Sequence, residues 1–165
     1  IQTIRRNETK KCAKILGVHK LIHLKLCDGK LKKQLQKPIM TKTVIQVLNQ
    51  YKPIKIFTHA RDDMHKDHVA VHKTVIEAVD IYNKKTKEKT EVYTYNIWSI
   101  PILNRNDPQL RVDISKTFLI KQKALEKLKS QKVTLFQLWP TVIIKALLQG
   151  FNQKTRFAEN FYKIR

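Results

Sequence analysis

The sequence predicts an α/β protein, a mostly parallel sheet with flanking helices. Three observations predict it. Short apolar runs alternate with longer helix-periodic segments along the 165 residues. Glycine and proline are few, three and five, which fits long regular elements joined by short connections. The densest group of chemically active side chains follows directly on an apolar run, and open α/β sheets place their sites at the carboxyl ends of strands.

The elements are justified in order. Thr3 to Leu16 is predicted helical: Ala13, Ile15 and Leu16 supply apolar positions and Gly17 is a natural stop. Leu21 to Leu26 alternates like a strand and runs into the turn signal Asp28-Gly29. Met40 to Tyr51 carries Val44, Ile45, Val47 and Leu48 at helical spacing, and Pro53 introduces a short strand, Ile54 to Thr58. Asp67 to Lys84 is the clearest helix, with Val71, Val75, Ile76, Ala78 and Val79 as its apolar stripe. Glu91 to Ile97 is a predicted strand. Ile114 to Lys129 is a predicted helix with Phe118, Leu119, Ala124, Leu125 and Leu128 inward. Phe136 to Leu148 is a further helix, broken or started at Pro140, and the tail Phe157 to Ile164 is mixed. The expected order is therefore α-β-α-β-α-β-α-α. Chains of this class normally open with a strand, and this one opens with a helix.

The length predicts one domain, residues 1–165. An apolar fraction of 42 % excludes disorder. Thirty-four basic against thirteen acidic residues give a net charge of +21. A charge of that size marks either a solvated lysine-rich surface or a footprint for an anionic partner. No aromatic residues interleave with the basic runs, and the excess is lysine rather than arginine, so specific nucleic-acid binding is not expected. Cys12 and Cys27 have neither disulfide-scaffold nor zinc-knuckle spacing. No apolar run approaches the ~20 residues of a membrane span, and no signal peptide is visible. The expectation is a cytoplasmic chain without a transmembrane segment. The first residue is Ile1, not methionine, so the true start is out of view.

Four of the six histidines fall between Thr58 and His72, together with three aspartates, around Asp63-x-His65-x-Asp67-His68. If the strand ends near Thr58 and the helix starts near Asp67, His65 and His68 lie at a helix N-terminus. The dipole there disfavours imidazolium and leaves the neutral, metal-binding form. Asp67 is placed to cap the helix or to orient a neighbouring histidine. His68 and His72, four apart, share a helix face, but the glutamate of the metalloprotease pattern is replaced by Val69. His59 is expected as a loop residue beside the site. A zinc catalyst needs about three protein ligands and an open position, and this segment offers one to three.

The Asp63-x-His65-x-Asp67-His68 segment, after a strand and before a helix, resembles the second signature of the LmbE-like N-deacetylases. That family includes the GlcNAc-phosphatidylinositol de-N-acetylases (PIG-L). Further pieces resemble it in the same order: Arg5-Arg6-x-Glu8 with Ala13 and Leu16-Gly17-Val18; Leu26-Cys27-Asp28-Gly29; Lys121-x-x-Ala124-Leu125 with Ser130-Gln131; and Phe157-Ala158-Glu159-x-Phe161. The resemblance implies a Rossmann-like fold and zinc-dependent hydrolysis of an N-acetyl group on an amino-sugar conjugate. By residue-wise carry-over His68 is a zinc ligand, His65 stabilises the oxyanion or acts as an acid, and Asp67 orients His65 or His68. Arg5 and Asp28 hold the sugar, with Asp63 a possible addition. Arg105, in the segment Trp98 to Asp113 near the expected site mouth, could contact an anionic part of a substrate.

The chain departs from the family at two points. The first signature, His-Pro-Asp-Asp, which supplies two zinc ligands and the general base, occurs nowhere in the 165 residues, and Leu128 stands where many members carry histidine. The expectation is an N-terminally truncated deacetylase domain without its first strand, its zinc site completed by ligands outside this chain. The alternatives are a non-catalytic relative that binds glycan or a partner, and a basic protein that binds nucleic acid or an anionic surface.

Overall fold

A computed structural model describes residues 2–27, 29–98 and 108–165. Asp28 and Arg105 therefore lie outside the described residues. The elements are α1 (Gln2–Ile15), α2 (Leu31–Leu35), α3 (Pro38–Tyr51), β1 (Lys55–His59), α4 (Lys66–Thr86), β2 (Glu91–Tyr95), β3 (Gln109–Asp113), α5 (Phe118–Leu125), a 3-10 turn (Lys129–Gln131), α6 (Lys132–Asn152) and β4 (Ala158–Lys163). Four strands form one sheet in the order β1-β2-β4-β3.

The sheet is mixed rather than mostly parallel. β1 and β2 pair in parallel, with Thr58 opposite Thr94 and His59 opposite Tyr95. The 21-residue α4 between them is the crossover that parallel pairing requires. β4 pairs antiparallel with β2, Thr94 opposite Tyr162. Among the described residues, three elements and the 3-10 turn separate β2 from β4 in sequence, so no single crossover dictates the sense of that pairing.

The chain divides into two compact units. One comprises Ile1–Lys25 and Arg111–Glu159, the other Leu26–Leu110 and Asn160–Arg165. The second unit is built on α3 and α4 against β1 and β2. Its core is Leu48, Ala78, Val79, Tyr82 and Val92, with Val44, Ile45, Ile56, Val75, Ile76 and Ile164 packed around it. The predicted stripe of α4 is thus the face that builds this core. Ion pairs between Arg165 and Asp80, and between Lys163 and Glu91, tie the last residues to α4 and β2.

The first unit has its own core of Ile114, Phe118 and Ala146, joined by Val112, Ile143 and Phe157. Phe118 and Phe157 stack at 3.9 Å between ring centroids. Two pairs of side chains singled out in the sequence meet here. Glu8, buried in α1, accepts hydrogen bonds from the backbone N–H of Ser130 at 2.8 Å and from its hydroxyl at 2.6 Å. Lys121 of α5 forms an ion pair with Glu159 of β4.

Several predicted elements change. Leu21 to Leu26 forms no strand; Lys25 adopts φ +56°, a left-handed conformation that interrupts an extended run. Gly17 at φ +68° does end α1 as expected. The third helix starts at Pro38, whose fixed φ suits a first helical position and whose missing N–H has no helical partner to lose. β3 and β4 are strands that charge and mixed patterning conceal. The predicted helix from Ile114 shortens to α5, and the helix around Pro140 lengthens to 21 residues with the proline inside it. The stretch Lys129–Asn152 is long and apolar enough, by length and composition alone, to cross a membrane, a property that the three lysines interrupting its sequence hide from a scan for unbroken apolar runs.

Candidate metal and substrate site

The site lies in the second unit, where β1 ends and α4 begins. β1 carries Thr58 and His59 at its carboxyl end, and the chain turns through Ala60 to Met64 before α4 starts. The turn is held from inside. Asp63 is buried, and its carboxylate accepts the backbone N–H of His65 at 2.9 Å and of Ile97 at 3.2 Å. One carboxylate thereby fixes the loop after β1 and the segment after β2, so the carboxyl ends of two parallel strands are locked together.

α4 is capped by His65, not by Asp67. The His65 ring accepts the backbone N–H of Asp67 through Nδ1 at 3.3 Å. Nδ1 is then the unprotonated nitrogen, and a neutral His65 carries its proton on Nε2. Asp67 is itself buried. Its carboxylate accepts the backbone N–H of Gly29 at 2.7 Å and of Leu31 at 3.1 Å. It fastens the start of α2 to the start of α4.

Three side chains converge on one point. His59, Asp63 and His68 each offer a donor atom, and these atoms lie within 4.8 Å of one another. His68 Nδ1 is 3.0 Å from Asp63 Oδ1. The rings of His59 and His68 are parallel, 3° apart in plane and 3.8 Å between centroids. Exposed His65 sits beside them, its ring 4.7 Å from that of His68. Tyr95, opposite His59 in the sheet, closes the other side at 5.1 Å.

The electrostatics follow from burial. Burial first, and then the neighbouring His68, push the His59 imidazole down to about 4. His59 is neutral at physiological pH, the form that ligates metal. Burial pushes the Asp63 carboxyl up, but the N–H groups of His65 and Ile97 and the nearby His68 outweigh it, and Asp63 stays below the ordinary carboxylate range. Burial, then Asp63, raises the Tyr95 phenol.

Two imidazoles and one ionised carboxylate are a donor set suited to zinc with a fourth position open. The Nδ1 of His59 is buried without a hydrogen-bond partner, as a nitrogen reserved for another acceptor would be. Tetrahedral ligands about 2.0–2.1 Å from zinc stand roughly 3.4 Å apart, so the three donors close on an ion by side-chain adjustment. The residues present therefore fit the metal.

The sequence-predicted residues distribute as follows. Asp63, His65, Asp67 and His68 come together at this one corner. Arg5 lies on α1 in the first unit, half-buried. Asp28 and Arg105 are outside the described residues. His72 is near the cluster but outside the donor set: its Nδ1 donates to the backbone carbonyl of His59 at 2.8 Å, which holds the end of β1. His59, expected as a bystander in a loop, is the last residue of β1 and one of the three donors. The signal for it was its position at the carboxyl end of an apolar strand.

Residues 1–79 match the family profile described as PIG-L, GlcNAc-PI de-N-acetylase. The whole chain aligns with 74 % of the conserved protein TT1542 from Thermus thermophilus, with a TM-score of 0.78 at 21 % identity. It aligns over 98 % of its length with N,N'-diacetylchitobiose deacetylase from Pyrococcus horikoshii, spanning 63 % of that chain, with a TM-score of 0.73 at 20 % identity. It also aligns over 99 % of its length with 72 % of the 4-carboxy-2-hydroxymuconate hydratase GalB from Pseudomonas putida KT2440, with a TM-score of 0.66 at 17 % identity. At such identities the structural likeness establishes the α/β fold, and that fold carries a hydratase as well as a deacetylase. The sequence match is the more specific finding, and it contains Asp63, His65, Asp67 and His68. Over residues 1–79, a little under half of its length, the chain is similar to the PIG-L family of GlcNAc-PI de-N-acetylases.

Proposed function

We propose that this chain is a zinc-dependent N-deacetylase of GlcNAc-type amino-sugar conjugates, with the metal held by His68 and, in place of the outside ligands that the resemblance implies, by Asp63 and His59. The observation that carries this reading is the convergence of those three donors inside the family-matched segment. A bound zinc supplies Lewis acidity toward the amide carbonyl and lowers the pKa of a coordinated water.

The chain's own residues have separable tasks. His68 and neutral His59 present imidazole nitrogen, and Asp63 presents a carboxylate that also fixes the loop between them. His65 is exposed at the edge of the cluster and holds its proton on Nε2. It is placed to donate to the oxyanion of the tetrahedral intermediate or to the departing amine. Hydrolysis then breaks the C–N bond, leaving acetate and the free amino sugar. Asp67 acts as a positioning residue by holding the first turn of α4. Arg5 and Asp28 are proposed for sugar contact, and Arg105 for an anionic part of the substrate.

The test is zinc content and acetate release on the same preparation. After dialysis against a weak chelator, about one zinc per chain is expected, lost in His68→Ala. Acetate release from an N-acetylglucosamine conjugate is expected to follow the same loss. Acetate release that persists in His68→Ala would overturn the reading. A second reading, a non-catalytic glycan-binding relative, is favoured by one observation: the 165 residues hold no His-Pro-Asp-Asp and so no counterpart of the family's base. Zinc retained and conjugate bound, with no acetate released, would select it.

A further inference from the structure

α6 has two unlike faces. On one, Ala146 and Gly150 are buried and Ile143 packs on the core of the first unit. On the other, Val133, Phe136, Ile144, Leu147, Leu148 and Phe151 face solvent, with Val133 76 %, Phe136 82 % and Phe151 83 % exposed. At about 100° per residue these six fall within an arc of roughly 120°, and from Val133 to Phe151 the stripe runs about 27 Å. Pro140 lies on the same exposed side. A helix face turned to water is ordinarily polar, and an exposed apolar patch of this extent marks an interaction surface.

The charge around the stripe selects the occupant. From Lys127 to Ala158 there is no acidic residue. Lys127, Lys129 and Lys132 lie at the start of the helix, Lys145 within it, and Lys154 and Arg156 just past its end. The whole chain carries +21. A second copy seated on this face would bring a second charge of +21 against the first, whereas an anionic surface is attracted by that charge. An apolar stripe bordered by lysines is the composition of a helix that lies in a lipid interface, apolar face down and cations among anionic headgroups.

The other face decides between lying on a membrane and crossing it. A Cβ on Gly150 would stand 2.7–2.8 Å from backbone atoms of Thr155 and Arg156. The chain after α6 is therefore pressed against that side of the helix. A helix committed to its own unit along one face is not free to be surrounded by lipid. We propose that the exposed face of α6 docks this protein on an anionic lipid surface, with the helix in the plane of the interface. This inference does not depend on the deacetylase reading.

The test is co-sedimentation of the full chain with phosphatidylcholine–phosphatidylserine vesicles and with phosphatidylcholine vesicles, at physiological ionic strength. The wild type is compared with the double variant Phe136→Asp, Phe151→Asp, whose folding is checked by circular dichroism. Binding to the anionic vesicles, reduced at least tenfold in the double variant, is expected. Because both substitutions are on an exposed face, the fold should survive. If it does not, Phe136→Trp replaces them: its emission should shift blue on anionic vesicles and be quenched by brominated lipid. Binding that is undiminished in the folded double variant, or a Phe136→Trp emission unmoved by lipid, would reduce the effect to adsorption of a polycation and overturn the proposal. A concentration-dependent dimer lost in the double variant, with no vesicle binding, would assign the face to a second copy and overturn it equally.

Discussion

The imidazoles of His59 and His68 lie parallel at 3.8 Å between centroids. One ends β1 and the other begins α4, so the contact joins the strand to the helix across the candidate site. Both rings cannot be charged at this separation without strong repulsion. Burial and this neighbour together favour the neutral form of His59, and stability depends on pH as a result.

His59 titrates near 6.5 when unfolded and at about 4 in the fold. Between those values the unfolded chain binds the extra proton and the native chain does not, so stability rises with pH across the window. The contribution is complete above about 6.5 and lost as pH falls to about 4. Asp63, held below its ordinary 3.8, adds a second loss as pH falls through its lowered native value. Urea midpoints measured from neutral to acid pH with chelator present should show the upper slope, and His59→Gln should remove it while leaving the lower one.

Asp67 carries two backbone N–H groups on its carboxylate, those of Gly29 and Leu31. Asp67→Ala removes the acceptor of both N–H groups, at exposed Gly29 and half-buried Leu31, which costs about 0.5–1.5 kcal/mol. The expected signature is a lower denaturation midpoint together with faster amide exchange at Gly29 and Leu31. Unchanged exchange there would show that the carboxylate does not fasten α2.

Ser130 is the largest influence on Glu8, and its hydroxyl hydrogen bond holds the Glu8 carboxyl below the usual range. Ser130→Ala should move the Glu8 titration back up, with the backbone N–H bond and Arg5 still lowering it in part. Side-chain carboxyl NMR reads this directly. The variant should also unfold at a lower temperature, since α1 loses one of its ties to the 3-10 turn.

Gly150 has no room for a methyl group, because backbone atoms of Thr155 and Arg156 occupy the space at 2.7–2.8 Å. Gly150→Ala gains helix propensity but forces the following turn outward. Overpacking against backbone costs about 1–3 kcal/mol, so the net effect should be destabilising. An equal or raised denaturation midpoint would show that the turn shifts freely.

The legible parts of the fold were those whose pattern is local. α4 declares itself by a stripe at Val75, Ile76, Ala78 and Val79, and β1 by an apolar run after Pro53. Leu21 to Leu26 alternates just as well and forms no strand, because alternation names a face but supplies no partner. β3 and β4 are the reverse case. Gln109-Leu110-Arg111-Val112-Asp113 alternates over only five residues, two of them charged, too short a run to stand out as a strand, yet it pairs at the end of the sheet order. Pro140 argued for a helix boundary. It is tolerated inside α6, where it is exposed to solvent.

The sequence by itself determined that the class is α/β, and it gathered the candidate residues Asp63, His65, Asp67 and His68 between β1 and α4. These follow from residue types at fixed short spacing. Only the tertiary structure decided what each side chain does there. It brought His59 onto His68, put His65 rather than Asp67 on the helix cap, and turned the Asp67 carboxylate to Gly29 and Leu31. It also set the mixed sense of the sheet and the apolar face that α6 leaves uncovered. Each depends on contacts between residues far apart in the chain. Such contacts are fixed by packing and by the pairing of buried polar groups, and neither leaves a periodic trace in the sequence.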